Sequence, residues 1–260
     1  MKLRTSGARL LTADRVSLAG RCWGDGEPAT AGVVLVHGFA ATADHPPVVA
    51  VAEALHRQGL FVVSYDARGH GRSGGDCTLG DAEQLDVAAA VEVARERAGD
   101  VVVVGASMGA IAAVRYAAGP QADDLAGVIA VSCPARWRLP RNPRAILAAG
   151  LTRTRLGRSV ARRHLRVRLS ATWASPTPPV ELVTRVRAPI AFVHGERDRF
   201  IPVKDVYELS TAAPQPRHLE VVPAMGHAYD VAAVPAIVRA VEWALEQAPA
   251  PAAAASTLPA

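Results

Sequence analysis

Short continuous apolar runs recur along the chain, and the segments between them favour helices. The runs lie at 33–36, 61–65, 101–104, 127–132, 190–194 and 218–222, and two further strands are predicted at 9–12 and 15–23. Such runs are typical of strands buried on both faces of a parallel sheet. Helices are predicted over 48–57, 78–98, 110–116, 203–212 and 234–247. Strands alternating with helices predict an α/β fold with a mostly parallel central sheet and helices on both faces.

A long insertion interrupts this alternation between two strands of the sheet. We expect residues 134–188 to form a small, mostly helical cap or lid above the carboxyl edge of the sheet. The core is then divided into a first part, 1–133, and a second part, 189–247. The final residues, 248–260, are rich in alanine and proline, which favours a disordered tail.

The positive charge of the chain is concentrated in this insertion. From Leu125 to Val180 there is no Asp or Glu, and the segment holds eleven arginines. The whole chain carries a net charge of +5, so the remaining residues carry −6. The sequence therefore predicts an acidic body with a basic insert.

Part of the insertion favours an amphipathic helix. One face carries arginines at i, i+3 and i+4 spacing, namely Arg155, Arg158, Arg162 and Arg166. A different face carries Leu156, Val160, His164 and Val167. Like charges at these spacings repel each other, so the arginine face needs solvent, acids of the body or an anionic ligand against it.

Ser107 lies between a predicted strand and a predicted helix, within the segment Gly105 to Gly109. A serine at a sharp strand-to-helix turn needs small neighbours, because the backbone there is strained and closely approached. The next amide, that of Met108, then lies at a helix N-terminus, where partial positive charge favours an oxyanion. The pattern predicts a nucleophilic serine.

A serine hydroxyl needs a base within hydrogen-bond reach, and the base needs an orienting acid. His227 lies in the predicted loop between the last strand and the last helix, and Asp198 follows the strand at 190–194. The chain order Ser107, Asp198, His227 is that of one hydrolase fold. Glu196 is the rival acid, and His194 is expected to contact backbone instead of acting as the base.

Several segments together resemble motifs of the α/β-hydrolase fold superfamily. Val36 to Phe39 resembles the oxyanion loop, Asp66 to Ser73 the loop after the following strand, and Gly105 to Gly109 the nucleophile elbow. His194 to Asp198 and Gly226-His227 resemble the acid and base loops. Among its members, the chain resembles serine esterases and lipases with a modest cap, and monoglyceride-lipase-like and serine-aminopeptidase-like hydrolases.

This resemblance implies acyl transfer. Ser107 would attack a carbonyl, His227 would take its proton, and Asp198 would hold the imidazolium. The amides of Phe39 and Met108 would bind the oxyanion, and neither a metal nor an organic cofactor is needed. A serine at this position argues against epoxide hydrolysis and dehalogenation, which need a carboxylate nucleophile.

Other residues of these loops have structural interpretations. Asp66 and Arg68 are expected to form an ion pair that fixes a loop, and His37 and His70 to make structural hydrogen bonds. The three cysteines, an odd number without paired spacing, argue against disulfides and against a zinc site. Cys133 is expected to be a small core residue.

Three functions remain open. The first is a carboxylic-ester hydrolase. The second is a thioesterase for acyl-CoA or an acyl carrier protein, because the cap arginines would meet anionic groups. The third is a non-catalytic ligand-binding protein on the same fold. In the first two cases the partner is a small-molecule ester or thioester, which could be anionic. The cap residues that could bind this substrate are Arg158, Arg162, Trp137 and Trp173.

The remaining expectations concern location and other partners. No window approaches the ~18 apolar residues of a membrane span, and the N-terminal residues lack a hydrophobic signal region. A cytoplasmic protein without an integral membrane segment is therefore expected. The arginines lack the interleaved aromatic residues of a nucleic-acid platform, so no nucleic-acid partner is expected. The sequence leaves the oligomeric state open.

Overall fold

An eight-stranded sheet with helices on both faces forms the centre of the molecule. The computed structural model describes residues 5–24, 29–122, 124–137, 154–172 and 176–248. The strands are β1 (Thr5–Leu11), β2 (Ser17–Trp23), β3 (Ala31–Val36), β4 (Phe61–Tyr65), β5 (Asp100–Ala106), β6 (Gly127–Val131), β7 (Ile190–Gly195) and β8 (Arg217–Val222). The α/β fold class predicted from the sequence is confirmed.

The strand order across the sheet is β1-β2-β4-β3-β5-β6-β7-β8. β1 and β2 form an antiparallel hairpin, and β2 pairs antiparallel with β4. The six strands from β4 to β8 in this order are parallel to one another. Their carboxyl ends therefore lie along one edge, which is where loops of such a sheet present ligand-binding and catalytic groups.

The helices cover both faces of the sheet. In the described ranges the α-helices are α1 (Pro46–Arg57), α2 (Glu83–Arg95), α3 (Met108–Ala117), α4 (Arg155–His164), α5 (Pro179–Leu182), α6 (Lys204–Ala212) and α7 (Val234–Gln247). Among the same described residues, three short 3-10 helices occupy Pro120–Ala122, Val183–Arg185 and Val231–Ala233. The predicted helices are confirmed, although α2 begins five residues later than expected.

Two hydrophobic clusters lie on opposite faces of the sheet. α2, α3 and α6 contribute to one cluster, and α1 and α7 to the other. In β5, Val101 and Val103 belong to the first cluster, whereas Val102 and Val104 belong to the second. All four are buried, and burying a valine side chain stabilises a fold by roughly 1.5–3 kcal/mol. This double coverage explains why the strand has no polar residue between 101 and 104.

The segment between β6 and β7 contains the predicted cap, of which 138–153 and 173–175 lie outside the described residues. α4 begins after Thr154, whose side chain accepts a hydrogen bond from the Gly157 amide at 3.0 Å. The predicted helix is present, but it ends at His164. Arg166 lies beyond it with a φ of 55°, so its placement on the helical arginine face is wrong.

The packing face of α4 also differs from the predicted one. Its buried positions are Gly157 and Ala161, whereas Leu156 and Val160 are exposed. Small residues let a helix backbone approach its neighbours closely, so the helix packs through this small-residue face and leaves the two larger apolar side chains outside. None of the described helices is long and apolar enough to cross a membrane.

Candidate active site

Ser107 occupies a strained turn between β5 and α3. Its φ is 53° and its ψ is −114°, a combination that L-residues adopt only under constraint. Its amide donates a 2.9 Å hydrogen bond to the Val131 carbonyl oxygen at the end of β6. A Cβ on Gly105 would lie 2.3 Å from the Gly109 carbonyl oxygen, and one on Gly109 would lie 2.4 Å from that of Val36. The two glycines flanking the turn are therefore required by close backbone packing.

His227 lies between Ser107 and Asp198. Its Nε2 is 3.0 Å from Ser107 Oγ, and its Nδ1 is 2.7 Å from Asp198 Oδ2. Ser107 follows β5, Asp198 follows β7 and His227 follows β8, so the three side chains meet at the carboxyl edge of the sheet. With Nδ1–H donating to the carboxylate, Nε2 is free to accept the serine proton.

The second oxygen of Asp198 is bound to backbone. Asp198 Oδ1 accepts hydrogen bonds from the amides of Phe200 at 2.8 Å and Ile201 at 2.9 Å. Burial acts to raise the pKa of Asp198, but the hydrogen bonds from His227 and Ile201 outweigh it and lower the pKa below its ordinary value. The carboxylate is thus held ionised. Glu196, the rival acid, is exposed.

His194 plays the structural part expected of it. Its Nε2–H donates to the Ile201 carbonyl oxygen at 3.1 Å, while the same nitrogen lies 3.9 Å from Asp198 Oδ2. Burial lowers the pKa of His194 and favours the neutral ring. The expected backbone contact is confirmed, and the contact stabilises the loop that carries the acid.

Two further side chains hold the loop that carries His227. The Ala228 amide donates to Ser132 Oγ at 3.1 Å, and the Gly226 amide donates to Asp230 Oδ2 at 2.9 Å. Ala228 has a φ of 59°, which is unusual for a residue with a Cβ. The loop is therefore fixed on both sides of His227 by groups that no motif in the sequence singled out.

The loop after β3 passes directly beside the nucleophile. A Cβ on Gly38 would lie only 3.4 Å from the Cβ of Ser107, so the backbone leading to Phe39 runs against the serine. Met108 occupies the first position of α3, where an amide has no partner within its own helix. The amides expected to bind an oxyanion thus belong to the two segments that adjoin Ser107.

Asp66 and Arg68 do not form the expected ion pair. Asp66 accepts hydrogen bonds from the amides of Ala43 and Arg72 at 2.9 and 3.0 Å. The guanidinium of Arg68 instead contacts Asp86 at 2.8 Å and Asp14 at 2.8 Å. The ion-pair prediction is wrong because residues two apart on this turn point to different sides. Asp66 points to the loop after β3, whereas Arg68 points to α2 and the turn after β1.

Three of the four cap residues predicted to bind substrate lie in the described part of the chain, and none of them takes part in the two hydrogen bonds that join the triad. Arg162 is exposed and Arg158 is half-buried on α4, and the triad hydrogen bonds described above involve neither arginine. Trp137 Nε1 donates to the Pro176 carbonyl oxygen at 2.6 Å and thereby joins two parts of the insertion. Trp173 lies outside the described residues.

Phe200 is a residue of this site that the sequence interpretation missed. Its ring centroid lies 5.0 Å from that of His227, and 77% of the residue is exposed to solvent. Phe200 follows Asp198 by two positions in an irregular loop, so no periodic pattern marked it. The only available signal was its proximity in sequence to the predicted acid.

The cysteines are buried, and the potential metal-binding side chains of the described residues do not cluster. Cys22, Cys77 and Cys133 are unpaired and buried, and burial raises the pKa of each thiol. The expectation of a core role for Cys133 is confirmed. Across the described ranges, no group of three or more His, Cys, Asp and Glu side chains could hold a metal ion.

The fold and the arrangement of serine, histidine and carboxylate define an α/β hydrolase. The chain belongs to the family described as serine aminopeptidase, S33, whose model matches residues 27–181, more than half of the chain. The resemblance predicted from the sequence motifs is confirmed at this level.

Solved structures with the same fold include several esterases. The Pyrococcus furiosus esterase Pf2001 is 21% identical, with a TM-score of 0.71 over 94% of this chain and 92% of that one. The esterase RhEst1 from Rhodococcus sp. ECU1013 is 18% identical, with a TM-score of 0.67 over 94% of this chain and all of that one. At these identities the likeness concerns the fold.

The chain is also similar to a curated protein whose name states no function. The protein YqkD of Bacillus subtilis (strain 168), which is named as uncharacterized, is 27% identical over 187 residues and 65% of this chain. The present chain spans 56% of the length of that relative.

Proposed function

We propose that this protein is a serine hydrolase that cleaves a carboxylic ester through an acyl-enzyme intermediate. The observation that carries the proposal is the position of His227, 3.0 Å from Ser107 Oγ and 2.7 Å from Asp198 Oδ2. This arrangement gives the serine hydroxyl a base and gives the base an orienting carboxylate. Membership of the serine aminopeptidase, S33, family and the fold shared with solved esterases agree with the proposal.

Acylation begins when Ser107 Oγ attacks the ester carbonyl carbon and its proton passes to His227 Nε2. The resulting imidazolium is stabilised by Asp198, whose lowered pKa keeps it ionised. The amides of Phe39 and Met108 donate to the oxyanion of the tetrahedral intermediate, and the N-terminal dipole of α3 adds to this stabilisation. When the intermediate collapses, the carbon–oxygen bond to the alcohol breaks, and Nε2 returns its proton to the departing oxygen.

Deacylation repeats these steps with water. His227 Nε2 takes a proton from a water molecule as the water oxygen attacks the acyl carbon. The second tetrahedral intermediate uses the same two amides. Collapse then breaks the bond to Ser107 Oγ, which recovers its proton from His227, and the carboxylic acid leaves.

Labelling with a fluorophosphonate probe tests the nucleophile directly. We expect the wild-type protein to be labelled on Ser107, and the Ser107→Ala and His227→Ala variants to remain unlabelled and without ester turnover. Ser159→Ala, a change at an exposed position of α4, is the matched control and is expected to label like wild type. A folded wild-type protein that neither labels nor turns over any ester would favour the non-catalytic binding protein.

A thioesterase is the second candidate function, and the arginines of α4 motivate it. This helix exposes Arg155, Arg162 and Arg163. It belongs to residues 134–188, the segment that we propose forms the cap. The phosphates of CoA and the acidic surface of a carrier protein are chemically suited to such a group. The cap would then select an anionic acyl donor while the triad performs the same acyl transfer.

A substrate panel separates these two functions. p-Nitrophenyl esters and acyl-CoA thioesters of matched chain length are compared for wild type, the Arg158→Glu/Arg162→Glu double variant and Arg9→Glu, an exposed arginine on β1. A thioesterase loses thioester turnover only in the double variant and keeps turnover of small esters. Equal thioester turnover in all three proteins would eliminate the role of the cap arginines.

A further inference from the structure

A buried histidine outside the triad holds the loop that carries Phe39. His70 is 1% exposed, and its Nε2 lies 3.2 Å from the Ala40 amide, which follows Phe39 directly in the chain. Its Nδ1 lies 3.1 Å from the Arg68 carbonyl oxygen. The imidazole therefore bridges the loop after β3 and the loop after β4.

These two contacts determine the tautomer of His70. An amide N–H can only donate, so Nε2 must accept from Ala40 and carries no proton. Nδ1 then carries the proton and donates it to the Arg68 carbonyl oxygen. Burial lowers the pKa of His70, which favours this neutral ring. His37 repeats the pattern, with Nε2 accepting from the Ala67 amide at 2.9 Å.

The loop needs such an external contact. Ala40 has a φ of 59°, a left-handed conformation that costs a residue with a Cβ about 1 kcal/mol or more. The phenyl ring of Phe39 packs nearly perpendicular to the His70 ring, at a centroid distance of 5.8 Å. Without an acceptor at His70 Nε2, the Ala40 amide would lose its partner, and the Phe39–Ala40 peptide would be held less firmly. This peptide directly follows the one that presents the Phe39 amide, so the direction of that amide would be less well fixed.

We propose that His70 is a positioning residue of the oxyanion hole. It accepts from Ala40 through an unprotonated Nε2 and thereby aims the Phe39 amide at the carbonyl oxygen of the substrate. This proposal rests on the proposed function, because it assigns His70 a part in the same acyl transfer. His70 touches neither the substrate nor the reacting atoms.

A matched pair of substitutions tests this role. His70→Gln places an oxygen acceptor near the position of Nε2, whereas His70→Asn reaches only as far as Nδ1 and leaves Ala40 without a partner. We expect the acylation rate to fall by about 10- to 100-fold in the Asn variant and to recover most of that loss in the Gln variant. Inhibition by a trifluoromethyl ketone, which forms a tetrahedral adduct on the serine, should weaken in parallel, while the affinity for the carboxylic acid product stays unchanged.

Equal losses in the two variants, or no loss in either, would overturn the role of His70. If the Asn variant does not fold, the ¹⁵N shifts of the His70 ring in wild type decide the matter, since a proton on Nε2 contradicts the proposal. Failure of the proposed function is recognised separately: wild type would then show neither labelling nor ester turnover, or Ser107→Ala would keep wild-type turnover, whatever the His70 variants do.

A second inference comes from Phe200, which lies beside His227. Its backbone amide is bound by Asp198, its ring contacts His227, and yet 77% of the residue is exposed. An exposed phenyl ring 5.0 Å from the imidazole centroid is an apolar surface beside the side chain whose Nε2 would protonate the leaving group. Because Nε2 must come within about 3 Å of the departing oxygen, carbon atoms attached to that oxygen lie near the ring.

We infer that Phe200 is a binding surface for the alcohol portion of the ester, and that it favours aromatic or apolar alcohols. This inference also rests on the proposed function. Aromatic groups of a substrate and a protein attract each other beyond simple burial. The alcohol leaves before deacylation, so the ring assists only the first half of the reaction.

Esters with one acyl group and different alcohols test this inference. In Phe200→Ala we expect the ratio of kcat/KM for phenyl and naphthyl esters to kcat/KM for methyl esters to fall about tenfold, and the acylation rate of the aromatic esters to fall more than the deacylation rate. Tyr207→Ala, another exposed aromatic residue, is the control and should leave every value unchanged. Equal losses in acylation and deacylation would show that the ring acts only through His227 and would overturn the inference. If Ser107→Ala retained turnover, the proposed function itself would fail.

Discussion

The hydroxyl oxygen of Ser132 accepts a hydrogen bond from the amide of Ala228, at 3.1 Å across 96 positions of the chain. Ser132 follows β6 and is completely buried, with a φ of 48°. Ala228 follows His227, so the contact links the end of a central strand to the loop that carries the base. The orientation of the imidazole depends on this loop.

Removing that hydroxyl should impair both stability and catalysis. We expect Ser132→Ala to lower the free energy of unfolding by about 1–3 kcal/mol, because the Ala228 amide loses its partner. We also expect kcat/KM to fall by about tenfold or more, since the base is less well oriented. Urea unfolding and ester kinetics measure the two effects. A loss of stability with unchanged kcat/KM at a temperature where the variant is fully folded would contradict the positioning effect.

Substitutions of Asp198 and Glu196 test which of these two carboxylates orients His227. Asp198→Asn should reduce kcat on the order of 10³- to 10⁴-fold, because an amide no longer selects the Nδ1–H tautomer of His227 or stabilises its charged form. Glu196→Gln changes an exposed carboxylate two residues away and should leave kcat within about twofold. Steady-state kinetics of the two purified variants decide between them. A larger loss in the Glu196 variant would reverse the assignment.

The lowered pKa of Asp198 also predicts a pH dependence of stability. A group whose pKa is lower in the folded protein stabilises the fold above its ordinary pKa of 3.8 and loses this contribution as the pH falls through the folded value. The difference in unfolding free energy between wild type and Asp198→Asn should therefore shrink from pH 7 to pH 2. Urea titrations at both pH values measure it. A difference that grows toward low pH would contradict the expectation.

The close packing at the nucleophile turn predicts a strong effect of a single methyl group. In Gly109→Ala, the new Cβ would lie 2.4 Å from the Val36 carbonyl oxygen and 2.6 Å from that of His37. Backbone must then move, which costs about 1–3 kcal/mol of stability and displaces the oxyanion loop. Gly99→Ala is the control, because nothing lies within 4 Å of the position that its new methyl group would occupy. Gly109→Ala should therefore unfold at a lower temperature than Gly99→Ala and react more slowly with the fluorophosphonate. Equal unfolding temperatures and labelling rates would mean that the turn adapts to the methyl group.

Arg68 and Asp86 form a buried ion pair beneath the same edge of the sheet, with side chains 5% and 0% exposed. Asp86→Ala should lower the free energy of unfolding by about 3–5 kcal/mol, because the guanidinium loses a buried partner. Asp124→Ala removes the partner of Arg95 at a site where the aspartate side chain is 72% exposed, and a change within about 1 kcal/mol is expected. Chemical unfolding of both variants measures the two changes in unfolding free energy. Similar losses would show that burial of the pair contributes little.

Much of the fold could be predicted because its signals are local. A run such as Val101 to Val104 needs no knowledge of its neighbours to indicate a strand covered on both faces. The turn at Ser107 was recognisable for the same reason, since strand, small residues and helix adjoin one another in the chain. The order of Ser107, Asp198 and His227 then followed from where strands were expected to end.

Long-range contacts and exposure could not be predicted. The partner of Arg68 proved to be Asp86 instead of Asp66, because the direction of a side chain on a turn depends on backbone angles that composition does not reveal. α4 was expected to present Leu156 and Val160 as one side of an amphipathic helix. It packs through Gly157 and Ala161, because the shape of the surface beneath a helix decides which of its faces is buried.

The sequence by itself determined the strands, the class of fold and the residues available for nucleophilic chemistry. Hydrophobic periodicity and backbone steric demands act between residues close in the chain, so they can be recognised without coordinates. Only the tertiary structure decided that Ser132 and Asp230 hold the loop of His227, that His70 contacts the loop after β3 and that Phe200 lies exposed against His227. Those relationships arise where loops from different strands converge at one edge of the sheet, and their hydrogen bonds depend on distances that no local pattern encodes.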